Sequence, residues 1–138
     1  MEINIMETIL HLSDICYSLN EETLKGENIS RPESFILLSI KPGESISSNE
    51  LASRNRLSPS RISRIVDDMI EKDLLIRNED SGDRRFTKLS LTKTGSKKHT
   101  AIMKLKDQCE QKIKSQLKKD ELEAVENGLI YLKNAMEK

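Results

Sequence analysis

Residues 57–92 carry the most informative structural pattern in this chain, LSPSRISRIVDDMIEKDLLIRNEDSGDRRFTKLSLT. It opens with Ser58-Pro59, and serine at the N-cap with proline at the first helical position is a strong helix start. Apolar residues then recur with the three- and four-residue spacing of one helix face, and they are Ile62, Ile65, Val66, Met69 and Ile70. Residues 74–77 and 86–91 read as strands on either side of a polar turn, so the segment predicts a helix followed by a β-hairpin.

A second short helix is predicted just before this segment. Ser47 precedes Glu50 by three residues, which is the spacing of a capping box. Asn55 and Arg56 would form the turn into the next helix. Two short helices followed by a hairpin have the layout of a helix-turn-helix with a wing, which can place one helix in the major groove of DNA and the hairpin beside it.

Both ends of the chain predict helices with one apolar side. The first would run from about residue 4 to residue 24, with apolar positions at Ile5, Ile9, Leu12, Cys16 and Leu19. Ser30 and Pro32 then start a helix that Pro42-Gly43 ends. After Thr92 a long helix is predicted as far as a break near residues 119–120, and the last helix carries coiled-coil spacing at Leu122, Val125, Leu129, Leu132 and Met136. These apolar helix faces need a partner that covers them. The simplest partner is the same faces in a second copy of the chain.

We therefore expect a mainly α protein with a small β wing, organised in three parts. Residues 1–30 would form an N-terminal dimerisation helix and residues 31–98 a winged helix-turn-helix DNA-binding lobe. Residues 99–138 would form C-terminal dimerisation helices. The expected partners are double-stranded DNA and a second copy of the chain.

Charge is distributed unevenly along the sequence. The formal net charge is zero, yet residues 45–98 hold 12 Lys/Arg against 8 Asp/Glu, a net of +4. This excess falls on the winged segment, where DNA phosphates would need neutralising, although many solvated surfaces carry as much. No apolar run approaches the roughly 20 residues that span a bilayer, and acidic residues interrupt the N-terminal apolar positions, so we expect no membrane contact and a cytoplasmic protein.

The candidate DNA contacts are serine and arginine side chains on the polar side of the 59–71 helix, together with the tip of the wing. Arginine can bond guanine in two places, serine can bond bases or phosphates, and a helix N-terminus attracts phosphate. The helix candidates are Ser58, Ser60, Arg61, Ser63 and Arg64. On the wing, Arg84 or Arg85 could enter the minor groove with Asp83 holding the side chain in place. Taken singly, each of these is also an ordinary solvated residue.

The same segment resembles the MarR family of bacterial and archaeal winged-helix regulators. The family's wing signature, D-x-R-x-x-x-L-x-L-T-x-x-G, is met by Asp83, Arg85, Leu89, Leu91, Thr92 and Gly95. The resemblance covers about residues 47–95 and implies a symmetric dimer on a palindromic operator. It implies that Arg85 reads the minor groove and that Asp67 braces it. The sequence departs from the family at Asn55-Arg56 in the helix-turn-helix turn, at Asp68, and at Asp73, where the family usually has glycine.

Regulators of this family commonly release DNA when a small molecule, an oxidant or a metal acts on them, so the resemblance leaves open both release by an unknown small-molecule effector and the absence of any effector. Cys16 is a candidate redox sensor, but its place on the apolar stripe favours a buried structural cysteine. Cys109 also lies on an apolar stripe, and His11 and His99 have no ligand spacing, so no metal or cofactor is expected. No catalytic arrangement is evident, which argues against an enzyme. The alternatives to a repressor are a winged-helix module that docks protein and a Cys16-based redox regulator.

Overall fold

The computed structural model describes residues 2–79 and 87–138 of the chain. Asp83, Arg84 and Arg85, which were predicted to form the tip of the wing, lie outside the described residues. The helices and strands, in chain order, are α1 Ile5–Gly26, α2 Arg31–Ser39, β1 Ile46–Ser47, α3 Ser48–Asn55, α4 Pro59–Glu71, β2 Leu75–Glu79, β3 Thr87–Leu91, α5 Lys93–Ser115 and α6 Lys119–Met136. The prediction of a mainly α winged helix is confirmed.

A small antiparallel sheet follows the helix-turn-helix. Its strand order is β1-β3-β2, with Ile46 opposite Leu89 and Arg77 opposite Leu89 on the other side. The two strands of the hairpin were predicted, but β1 was not. Two residues cannot show the alternation that marks a strand in sequence, and β1 exists because β3 offers it an edge to pair with.

The core of the winged helix lies between α2, α3, α4 and the sheet. Three of the five predicted inward residues of α4 are buried and the other two, Ile65 and Ile70, are partly buried against the core. Each fully buried aliphatic side chain stabilises the fold by roughly 1.5–3 kcal/mol. The most deeply buried residues are Ile36, Leu37, Ile40, Ile46, Leu51, Ile62, Val66, Met69, Leu74, Leu75 and Leu89.

Serine or threonine side chains cap four of the described helices, as their sequences predicted, and Asn4 caps α1. The hydroxyl groups of Ser30, Ser47 and Ser58 accept the backbone N–H three residues ahead of each, at 3.3, 3.1 and 3.3 Å. The Thr92 hydroxyl accepts the Gly95 N–H at 2.9 Å and so starts α5. These bonds satisfy amides that the helix itself leaves without a partner.

The chain divides into two compact units, Met1–Met103 and Lys104–Lys138. The first unit contains α1, which lies wholly within the described residues. Leu24 is the one buried residue of this helix. Its predicted apolar stripe is exposed on the single chain, with Ile5 and Leu19 each about 60% exposed. In the second, α6 has no buried residue and exposes Leu129, Ile130 and Tyr131. Among the described residues, none of the helices has the length and apolar character needed to cross a membrane.

The expectation that Cys16 is buried is wrong for the single chain. Cys16 is exposed, as are Leu12 and Ile15 beside it. The apolar spacing on α1 correctly predicted a helix with an apolar side, but it could not show whether another element of the same chain covers that side.

Candidate nucleic-acid interface

The predicted contact residues of α4 share one exposed surface. The buried residues Ile62, Val66 and Met69 occupy the opposite side of the helix, because apolar and polar positions alternate with helical periodicity. The exposed set is Ser58, Ser60, Arg61, Ser63 and Arg64. Ser58 is also the N-cap of α4, and its Oγ lies 3.3 Å from the Ser60 Oγ. The structure therefore brings these five residues together at the start of one helix.

The turn between α3 and α4 uses a left-handed residue, and that residue is Arg56, with φ 53° and ψ 40°. Asn55, which was expected to belong to the turn, is the last residue of α3. Its side-chain amide donates to the Leu51 carbonyl oxygen at 2.9 Å and to the Ser39 Oγ at 3.0 Å. These two bonds hold Asn55 in the last turn of α3, and the left-handed residue of the turn is Arg56.

Arg54 clamps α3 to the segment that follows α2. Its guanidinium donates to both carboxylate oxygens of Glu44, at 2.8 and 3.0 Å, and to the Ser39 carbonyl oxygen at 2.7 Å. Glu50 accepts a further bond at 3.2 Å. The guanidinium and the Lys41 N–H lower the pKa of Glu44 to about 2. The four-residue spacing of Glu50 and Arg54 was readable in the sequence, whereas the Glu44 contact depends on the turn after α2 and was missed.

A hydrogen-bonded ion pair connects α4 to the first strand of the wing. The Asp67 Oδ1 accepts a bond from the Arg77 guanidinium at 2.9 Å. Across the hairpin, the Asn78 side chain donates to the Ser90 Oγ at 2.9 Å. The resemblance implied that Asp67 braces Arg85, a contact that lies outside the described residues. The described partner of Asp67 is Arg77 on β2.

The turn between α4 and β2 lies directly against the start of α5. Asp73 has a left-handed backbone, with φ 59°, at the position where the family usually has glycine. The Thr92 hydroxyl donates to the Asp73 carbonyl oxygen at 2.5 Å, and the Thr92 N–H donates to the Leu74 carbonyl oxygen at 3.1 Å. A Cβ on Gly95 would overlap that same Leu74 oxygen. Thr92 and Gly95 of the wing signature therefore allow α5 to start against this turn.

A groove of about 520 Å³ lies beside the helix-turn-helix. Its lining combines arginine with apolar surface, including Phe35, which is 55% exposed. Arg31 donates to the Ser13 Oγ at 2.7 Å and its guanidinium lies over the Tyr17 ring, 4.9 Å from the centroid. The lining residues are Arg31, Pro32, Phe35, Arg54, Asn55, Arg56, Leu57 and Arg61.

The candidate sensing residues do not form a metal site in the described part of the chain. Across residues 2–79 and 87–138, no three His, Cys, Asp or Glu side chains are arranged to hold a metal ion. Partial burial lowers the pKa of His99, and His11 is exposed.

Comparison with known proteins connects this geometry to one family. Residues 27–85 match the model of the MarR family. The HTH-type transcriptional repressor MdtR of Bacillus subtilis (strain 168) is 29% identical over 82 residues, which are 59% of this chain. The matched segment spans only 53% of the length of MdtR, about half of that curated relative.

Solved structures show the same fold over nearly the whole chain. The S. aureus MepR–DNA complex has a TM-score of 0.83 at 21% identity, covering 97% of this chain and 99% of that one. The transcriptional regulator SlyA has a TM-score of 0.84 at 15% identity, covering 97% and 94%. NadR in complex with 4-hydroxyphenylacetate has a TM-score of 0.74 at 18% identity, covering 95% and 93%. Residues 27–85 of this chain are therefore similar to the MarR family model, and the chain has the fold of these solved structures along nearly its whole length.

Proposed function

We propose that this protein is a sequence-specific DNA-binding transcriptional regulator, most simply a repressor. The observation that carries the proposal is the exposed Ser/Arg surface at the start of α4, beside a strand that Asp67 holds through Arg77. In this proposal α4 is the recognition helix in the major groove and the wing enters the adjacent minor groove. The name of MdtR as a repressor and the DNA in the MepR complex support it.

The proposed assembly is a homodimer on a palindromic operator. A dimer with twofold symmetry presents two identical helices, so its target repeats with the same symmetry. The support is the exposed apolar surface of each terminal region, which a second copy would cover. On α1 it includes Ile5, Met6, Leu10, Leu12 and Leu19, and on α6 it includes Val125, Leu129, Ile130, Tyr131 and Met136.

Within this proposal each candidate residue has a distinct role. Arg61 and Arg64 contact bases or phosphates, and Ser60 and Ser63 add hydrogen bonds to them. Ser58 contributes mainly as the cap that orients the start of α4. On the wing, Arg84 and Arg85 contact the minor groove, with Asp83 as the holding carboxylate.

The proposal extends to release of DNA by an effector, and the groove beside the helix-turn-helix is the proposed place for it. Its arginines favour an anion, and Phe35, Pro32 and Leu57 favour an apolar body on that anion. The 4-hydroxyphenylacetate of the NadR complex has this chemistry. Arg61 lines the groove and also belongs to the proposed DNA surface, so an anion there would compete with DNA for the same side chain. Oxidation of the exposed Cys16 is the alternative signal.

The test is fluorescence anisotropy of the protein on DNA from upstream of its own coding sequence, with scrambled DNA as the control, over a salt series. Binding that prefers the upstream DNA supports the proposal, and the logarithm of the affinity should fall by about 0.9 per phosphate contact on a logarithmic salt scale. The Arg85→Ala variant should bind that DNA more weakly at matched salt. A protein that binds neither DNA at low salt contradicts the proposal and favours a module that docks protein.

A further inference from the structure

The C-terminal end of α4 is attached to the link between α1 and α2 and to the first turn of α2. We call these residues, 27–33, the α1–α2 junction. Lys72, the C-cap residue of α4, donates from its Nζ to the Glu33 Oε1 at 2.8 Å and to the Asn28 carbonyl oxygen at 3.1 Å. Lys98 of α5 reaches the same junction, at 2.7 Å from its Nζ to the Glu27 Oε2. The junction therefore receives contacts from the end of α4 and from the start of α5.

Glu33 is a buried carboxylate whose Oε1 accepts hydrogen bonds from two partners. Its side chain is 4% exposed, and its Oε1 also accepts the Ser30 N–H at 2.8 Å in the capping box of α2. Burial raises the pKa of Glu33, but the hydrogen bonds from Lys72 and Ser30 outweigh it, so the pKa lies below its ordinary value. The carboxylate is therefore charged at neutral pH, and a buried charge is costly without its partner. This cost favours the position of Lys72 in which its Nζ contacts the Glu33 carboxylate.

The position of Lys72 matters for the opposite end of α4. The helix has 13 residues, so its two ends lie about 20 Å apart. A tilt of about 3° at one end moves the other by about 1 Å, which is more than a hydrogen bond to a base tolerates. Ser60, Arg61 and Arg64 lie in the part of the helix remote from Lys72. A contact that holds the C-terminal end can therefore control how these residues meet DNA.

We propose that Lys72 and Glu33 form a positioning pair that sets the orientation of the recognition helix from the α1–α2 junction and raises operator affinity without touching DNA. The inference rests on the proposed DNA-binding function. The competing explanation is that Lys72, whose side chain is 32% exposed, contacts a DNA phosphate directly. Glu33 separates the two explanations, because removing an acid beside a phosphate contact strengthens DNA binding, whereas breaking a positioning pair weakens it.

The experiment compares Glu33→Gln, Lys72→Met and the double variant with the wild-type protein on DNA from upstream of its own coding sequence, over a salt series. The glutamine at position 33 keeps an oxygen for the Ser30 N–H. Glu71→Gln is the matched control, since it removes the same charge from the exposed end of α4 without touching the pair. We expect a five- to tenfold loss of affinity in each single variant, no further loss in the double variant, and an unchanged salt slope. The control should bind as tightly as the wild type or slightly more tightly.

The opposite pattern would overturn the proposal. If Lys72 contacts phosphate, Glu33→Gln should bind as well as wild type or better. Lys72→Met should then reduce the salt slope by about 0.9 for each lost contact, which is about 1.8 for a dimer. Lys72→Met decides the question by its salt slope even if Glu33→Gln fails to fold.

A second measurement needs no DNA and separates failure of the inference from failure of the proposed function. The N–H groups of Lys72, Asp73 and Leu74 donate to carbonyl oxygens of the last turns of α4, so their hydrogen exchange reports on that end of the helix. We expect faster exchange at these three amides in the pair variants and not in Glu71→Gln. Unchanged exchange refutes the positioning pair, whatever DNA does. Faster exchange with unchanged DNA affinity would show that the pair has only a structural role. Faster exchange in a protein that binds no DNA would refute the proposed DNA-binding function but not the attachment of α4 to the α1–α2 junction.

Discussion

Asp67 and Arg77 join α4 to β2 through one hydrogen bond of 2.9 Å between the Asp67 Oδ1 and the Arg77 guanidinium. Both side chains are about half exposed, at 61% and 46%. Solvent screens such a pair, so it contributes little free energy. Its consequence is geometric, because it couples the direction of the helix to the direction of the strand that leads into the wing.

A double-mutant cycle tests this pair. Asp67→Asn, Arg77→Gln and the combined variant should give a coupling free energy of about 0.2–1 kcal/mol in urea unfolding at low salt. The coupling should shrink as salt rises, since both partners face solvent. Protein concentration is held constant because the proposed dimerisation would affect apparent stability. A coupling that is zero at low salt would mean that the two side chains do not act together.

Gly95 should not tolerate a side chain. Its Cβ would overlap the Leu74 carbonyl oxygen, which is backbone and cannot rotate away. We expect Gly95→Ala to lower the free energy of unfolding by about 2 kcal/mol or more, in the range of overpacked interiors. Gly26→Ala is the control, because nothing lies within 4 Å of a Cβ there, and it should change stability by less than about 1 kcal/mol. Equal effects of the two changes would contradict the close approach of α5 to the α4–β2 turn.

The protein should be more stable with glycine at position 73 than with Asp73. Its left-handed backbone, with φ 59°, strains a residue that has a Cβ, so Asp73→Gly should raise the free energy of unfolding by up to about 1 kcal/mol. The Thr94 hydroxyl contact to the Asp73 carboxylate is long, at 3.5 Å, and its loss should matter little. The same change at the exposed helical residue Asp68 should instead destabilise by a few tenths to about 1 kcal/mol. Chemical denaturation of both variants provides the comparison, and a destabilising Asp73→Gly would be inconsistent with the observed backbone.

The ion pair between Arg54 and Glu44 should stabilise the folded state at pH values above the acid range. The folded-state pKa of Glu44 is depressed from 4.5 to about 2 by Arg54 and the Lys41 N–H. A depressed carboxyl pKa contributes stability above its unfolded value and loses it as the pH falls towards the folded value. Glu44→Gln should therefore be less stable than wild type at pH 7, and the difference should close between about pH 4.5 and 2. A difference that does not depend on pH over this window would show that the charge of Glu44 is not what Arg54 uses.

The last helix should be needed for the proposed dimer. Removal of residues 120–138 deletes nearly all of α6, which exposes Leu129, Ile130 and Tyr131 on the single chain. Sedimentation equilibrium should show a dimer dissociation constant at least tenfold larger for the shortened chain than for the full chain. A shortened chain that sediments as an equally tight dimer would place the interface elsewhere.

Local interactions explain why much of this fold was predictable. Ser30, Ser47 and Ser58 cap their helices within three residues of sequence, and the inward side of α4 follows helical periodicity without reference to any other element. The serines and arginines of α4 were recognised for the same reason, because one helix places them on one surface. Their role on DNA remains a prediction, as do the wing arginines and the redox role of Cys16.

The helices, their caps and the residues that share a helix face therefore follow from interactions between near neighbours in the sequence. The remaining features required the folded chain, because they depend on partners far apart in the sequence. Strand β1 forms only beside β3, Asp67 is paired with a residue ten positions away, and Lys72 reaches a carboxylate 39 positions earlier. The folded chain also shows that the backbone of Arg56, and not that of Asn55, is left-handed. Asn55 is hydrogen-bonded to Ser39 of α2. Sequence periodicity reports which side of a helix is apolar, and only the assembled fold reports what lies against it.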